Sequence, residues 1–105
     1  MSNAPIIGHY INGQMHDASE RFSDVFNPAT GAVQARVALA ELKTVDEAVA
    51  AAQAAFPAWA DQSSLRRARV MFKFKELLDQ HHDELAEIIC REHGKVFSDA
   101  KGEVV

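Results

Sequence analysis

One cysteine, Cys90, occurs in the 105 residues, so no internal disulfide can form. The start, Met1 to Pro5, has no basic residue and no long apolar stretch after it, which predicts no secretory leader. Together these features predict a reducing cytoplasm or an organelle matrix. Long hydrophobic runs are missing as well. The longest apolar-looking stretch, Ala48 to Ala60, is Ala-rich and broken by Gln53 and Pro57. It falls short of the roughly 20 apolar residues that a membrane span needs, so no membrane partner is expected. Positive charge is not in excess: 11 Lys and Arg face 15 Asp and Glu, for a net charge of -4. Only Arg66, Arg67 and Arg69 cluster, and phosphate backbones are held by grouped cations, so no nucleic-acid partner is expected. Repeats and low-complexity segments are absent.

What remains is an ordinary globular composition, 48% hydrophobic and 25% charged. A chain of this size buries roughly 60–70% of the surface its unfolded form exposes, enough for a modest core. The pattern predicts an α+β fold that changes character near Glu41. Residues 1–41 read as two β-hairpins. Ile6 to Ile11 is β-prone, Asn12-Gly13 is a strong type I′ turn signal, and Gln14 to Asp17 pairs back. Phe22 to Phe26 alternates, Asn27-Pro28-Ala29-Thr30-Gly31 turns the chain, and Val33, Ala35, Val37 and Leu39 alternate again. The two hairpins are expected to form one small antiparallel sheet.

Residues 42–105 read as a segment of three to four helices. Thr44-Val45-Asp46-Glu47 matches a capping box, and Val45, Ala48, Val49, Ala52, Ala55 and Phe56 recur at helical spacing. Pro57 is expected to stop or bend that helix near Phe56. Ser63 or Ser64 can cap a second helix with Leu65, Ala68, Met71, Phe72, Phe74 and Leu78 on its apolar face. Asp83 can cap a third, carrying Leu85, Ile88 and Ile89, and Gly94 is placed to end it. A last helix begins near Ser98 and runs through Val104 and Val105 with no stop signal. The chain is therefore expected to end in the middle of an element, and the small Ala side chains of the first helix to pack closely against another element.

The residues that carry chemistry are few. Cys90 and His93 share a helix face at three-residue spacing. A catalytic thiol needs an activating neighbour and access to substrate, whereas Cys90 follows Ile88 and Ile89 beside the apolar stripe. It reads as structural and buried. His81 and His82 are adjacent and point to different sides of a helix. His9 and His16 lie on opposite arms of the first hairpin, but no Cys or carboxylate completes a zinc set. Gly8, Gly13, Gly31, Gly94 and Gly102 build neither a G-x-G-x-x-G nor a Walker loop. Glu84, Glu87, Glu92 and Glu103, and the basic run Arg66, Arg67, Arg69, Lys73 and Lys75, read as solvated faces. No catalytic, cofactor-binding or metal-binding residue is assigned.

The order of motifs nevertheless resembles a family. Ile11-Asn12-Gly13, Phe26-Asn27-Pro28-Ala29-Thr30-Gly31, Val45-Asp46-Glu47-Ala48-Val49-Ala50-Ala51-Ala52 and Phe56-Pro57-Ala58-Trp59 are similar to the beginning of an aldehyde dehydrogenase. Asp83-Glu84-Leu85-Ala86, Glu92-His93-Gly94-Lys95, Asp99-Ala100 and Gly102-Glu103-Val104 continue it in order. Arg67-Ala68-Arg69-Val70-Met71-Phe72-Lys73-Phe74-Lys75 and the block Phe26 through Ala40 resemble the CoA-acylating methylmalonate-semialdehyde branch. The resemblance implies an NAD-dependent oxidoreductase in which a thiolate attacks the aldehyde, hydride passes to NAD, and coenzyme A resolves the thioester. It implies NAD and coenzyme A for the full enzyme and neither for this segment, because the family's nucleophile, general base and cofactor segment match no position here. It also implies that this segment wraps the cofactor-binding domain and contributes to subunit contacts. Two roles follow as expectations. One is an inactive scaffold whose partner is the remainder of the same enzyme. The other is a stand-alone module that associates with itself through its helices.

Overall fold

The computed structural model describes residues 3–105; Met1 and Ser2, where the leader expectation begins, lie outside them. The elements are β1 (Ile6–Ile7), β2 (His9–Ile11), β3 (Gln14–His16), β4 (Arg21–Phe26), β5 (Val33–Leu39), α1 (Leu42–Ala60), α2 (Ser64–Gln80), α3 (His82–His93) and α4 (Phe97–Val104). The α+β class expected from the pattern is present. The two compact units do not follow the change near Glu41. One holds the chain up to Phe26 together with Ala32–Asp61; the other holds Asn27–Gly31 with Gln62–Val105.

In the first unit, both hairpins form, but not one antiparallel sheet. Asn12 and Gly13 take φ values of 53° and 75°, as the turn between β2 and β3 demands. These strands make a separate two-stranded ribbon. The segment Ile6 to Ile11 splits at Gly8, and β1 leaves to pair parallel with β5, Ile6 beside Arg36 and Ile7 beside Val37. Gly8 marks the break for a steric reason: a Cβ there would sit 2.3 Å from Asp17 Oδ1 and 2.5 Å from the His16 carbonyl oxygen. The resulting order is β1-β5-β4, with β5 central and with an irregularity between Val25 and Phe26. Being central, β5 supplies the buried Ala35 and Ala38. On one face Arg36 lies 4.6 Å over the Phe22 ring and 3.9 Å from Asp24 Oδ1.

Helix α1 begins two residues before the expected cap. Glu41 is the N-cap with no side-chain cap bond, and Val45 N–H donates to its carbonyl. The cause is non-local. Arg21 Nη2 donates to the Ala40 carbonyl at 3.0 Å, and Arg21 Nε meets Glu41 Oε1 at 3.2 Å, pinning the turn out of β5. Pro57 does not stop α1, which continues to Ala60. Pro57 lies in the final turn, so its missing N–H forfeits a single helical bond. Its carbonyl still accepts from Asp61 N–H at 3.0 Å.

In the second unit, Ser63 Oγ caps α2 by accepting from Arg66 N–H at 3.2 Å. His81 ends α2 and also precedes α3, displacing the expected Asp83 cap; Asp83 and Glu84 fall in the first turn of α3 instead. Acidic groups there favour the helix dipole. Gly94 ends α3 with φ 84°, as expected. Helix α4 spans Phe97–Val104 and packs on α3, burying Ala86 and Ala100 completely. His82 Nε2 donates to the Lys101 carbonyl at 2.7 Å, and Lys101 Nζ meets Asp83 Oδ1 at 3.3 Å, joining the two helices.

Candidate functional site

The residues singled out for chemistry do not converge. Cys90 is half-buried on α3, more accessible than the buried position expected for it, and no hydrogen bond joins it to His93 among the described residues. His81 Nδ1 is 2.8 Å from Glu84 Oε2, whereas His82 is spent on α4. His9 and His16 do face each other across β2 and β3. No group of three His, Cys, Asp or Glu side chains suited to a metal ion occurs among the described residues. Lys73 and Lys75 pair along α2 with Glu76 and Asp79, at 3.3 and 2.7 Å. Exposed pairs of this kind contribute about 0–1 kcal/mol each.

The residues present do not fit a dinucleotide. Gly8 abuts the end of β3, Gly13 and Gly31 serve turns, and Gly94 caps a helix against Pro28, so none cradles a phosphate. The first turn of α3 carries Asp83 and Glu84, and Glu41 is the N-cap of α1, so the N-termini of these two helices do not suit an anion. No helix of the described residues is long and apolar enough to cross a membrane.

What the first unit does offer is apolar surface. On α1, Leu42, Val45, Val49 and Phe56 form an exposed stripe, with Phe56 66% exposed. Beside it, two open hollows of about 260 and 340 Å³ run between β2 and α1. Tyr10, Ile11 and Ala48 line both; Asn12, Ala51, Ala52 and Ala55 complete the first, and His9, Ala40, Thr44, Val45 and Val49 the second. Ligand pockets are usually about 300–1,000 Å³ and enclose several convergent polar groups. These hollows are open and mostly apolar, one below that range and one at its lower end, with Asn12 in the first and His9 and Thr44 in the second as polar lining. Small Ala side chains on a helix admit close packing of another element. The arrangement can be covered by protein.

Residues 15–105 match the model of the aldehyde dehydrogenase family, and the chain belongs to that family. Among the members it resembles are malonate- and methylmalonate-semialdehyde dehydrogenases. The chain is 46% identical over 96 residues to the malonate-semialdehyde dehydrogenase of Pseudomonas aeruginosa, covering 91% of this chain and 19% of that protein. Against the crystal structure of methylmalonate-semialdehyde dehydrogenase from Oceanimonas doudoroffii, the TM-score is 0.93 and the identity 53%, over 95% of this chain and 20% of that one. A Sinorhizobium meliloti structure described as the same type of enzyme, complexed with NAD, gives 0.92 and 48%, over 98% of this chain and 21% of that one. The chain thus spans about a fifth of the length of these relatives.

The sequence reading missed the Arg21 clamp and the contact of Gly94 with Pro28. Neither carries a local signal, because the partners are far apart in the chain.

Proposed function

We propose that this chain is the N-terminal scaffold of an NAD-dependent, CoA-acylating malonate- or methylmalonate-semialdehyde dehydrogenase, and is inactive by itself. The observation that carries the reading is the 53% identity at a TM-score of 0.93 to a methylmalonate-semialdehyde dehydrogenase over nearly the whole chain. In such an enzyme NAD accepts the hydride and coenzyme A takes the acyl group. The nucleophile and both cofactor sites belong to the remaining four-fifths. This segment's part is mechanical: the exposed α1 stripe and the hollows beside β2 receive elements of the remainder. Removing such apolar surface from water is worth roughly 25 cal/mol per Å².

A chimera tests this. The chain replaces the corresponding fifth of the Pseudomonas aeruginosa enzyme, and NADH formation from malonate semialdehyde with coenzyme A is followed. The chimera is expected to turn over, and the purified 105-residue chain to form no NADH. A soluble, folded chimera without activity would overturn the branch assignment. Turnover by the pure chain, lost on Cys90→Ala, would overturn the scaffold role.

A further inference from the structure

The cations of the chain are paired, except at one place. Every lysine, and every arginine outside the start of α2, has a partner among the described residues. The guanidinium groups of Arg66, Arg67 and Arg69 have none among them.

Local rules do not account for these arginines. Arg66 and Arg67 fall in the first turn of α2, where the helix dipole favours acidic residues, and no acidic residue stands there to offset them. Nor is the whole group hydrated. Arg67 is half-buried on a helix where every other residue except Ala68 and Leu78 is exposed. Its Nε is closed off from solvent and meets no acceptor. A cation withdrawn from water without a partner is costly, so such a group points to an anion that this chain does not itself supply. The Nη atoms are not enclosed in this way, and that end of the guanidinium stays open to an acceptor.

The surface beside Arg67 narrows what brings the anion. Val70 and Met71 lie three and four residues further on, on the same face of α2, and are 51% and 55% exposed. A free phosphate would pair the charge and leave these side chains wet. A protein element covers both at once. The chain spans about a fifth of the length of its relatives, so the rest of such an enzyme is at hand to supply one.

We infer, on the scaffold reading, that Arg67 is a docking anchor: its Nη atoms receive the carboxylate of an Asp or Glu in the remaining four-fifths of the enzyme, and the same element covers Val70 and Met71. Arginine suits the role because its planar fork can bond both carboxylate oxygens, whereas a lysine keeps the charge and loses the paired geometry.

The test places Arg67→Met in two settings. In the isolated chain, where the group has no partner, the substitution should leave the melting temperature unchanged or raise it. In the chimera with the Pseudomonas aeruginosa enzyme it should speed proteolytic release of this segment roughly tenfold or more, and Arg67→Lys should do so to a smaller extent. A lower melting temperature of the isolated chain would overturn the inference, since Arg67 would then have its partner within it. An unchanged rate of release from the chimera would overturn it too. So would a rise in the melting temperature of the isolated chain on adding inorganic phosphate that Arg67→Met abolishes, because the site would then take a free anion. NADH formation reports on the branch assignment separately: an active chimera indifferent to Arg67→Met sinks the anchor and leaves the scaffold reading standing.

Discussion

Two glycines in the second unit make opposite demands on a side chain. Gly94 has φ 84°, and a Cβ there would stand 3.2 Å from Pro28 Cγ. The left-handed conformation alone costs an L-residue roughly 1–2 kcal/mol, and the stiff proline ring adds to it. Gly94→Ala is expected to lower the urea midpoint accordingly. Gly102 sits inside α4 with nothing within 4 Å of a Cβ. Gly102→Ala should therefore stabilise the chain by about 0.5–1 kcal/mol, since alanine loses less backbone freedom in a helix. Unequal signs in one set of urea titrations check both. Equal destabilisation would show that the open side of Gly102 is filled. The roles of Gly13, Gly31 and Gly94 were legible from sequence, because turn and cap chemistry is local. That of Gly8 was not, since what it must avoid is the backbone at His16 and Asp17, brought close by the hairpin.

Among the elements, legibility follows the same division. Strands β4 and β5, the Asn27–Gly31 turn, the Ser63 cap and the end of α3 were all readable from alternation, turn residues and capping preferences. The parallel partner of β1 was not, because Ile6 and Ile7 carry no mark of which strand they join. The start of α1 went to Glu41 over the better local signal at Thr44, since Arg21 fixes Ala40 and Glu41 from a distant strand. Thr44 is instead half-buried and lines the hollow beside β2. Pro57 was given too much weight: a proline in the last turn removes one bond and leaves the earlier ones intact. The Ser63 bond predicts a measurable cost. Ser63→Ala should reduce stability by about 1 kcal/mol and Ser63→Gly by only a few tenths, read by thermal melting. Equal melting of all three proteins would remove the cap from the account.

For the whole molecule, the exposed large side chains set the behaviour. Among the described residues, the buried hydrophobic ones are Ala35, Ala38, Ala86 and Ala100, all small. Phe56, Phe72 and Phe74 remain more than half exposed. Large contiguous apolar patches mark interaction surfaces in soluble proteins. The folded chain is therefore expected to bind a hydrophobic dye, and the chimera described above to bind much less of it through this segment. Phe56→Lys in the isolated chain should lower the dye signal without loss of helix. Undiminished dye binding by the chimera would show that the α1 stripe stays open in the enzyme.

The contact of Pro28 with Gly94 also has a bearing on synthesis. Translation proceeds from the N-terminus, so the ribosome releases Pro28 long before the glycine it rests on. Until then the turn has the bonds of Asn27, whose Oδ1 accepts from Ala29 N–H at 2.8 Å and whose carbonyl accepts from Gly31 N–H at 2.8 Å. A nascent chain halted short of α3 carries the β4–β5 hairpin with an unsupported tip, and domains that emerge first must endure that interval. Proteases that favour loop tips should cut at Ala29-Thr30 in such stalled chains and spare the bond once Gly94 has emerged.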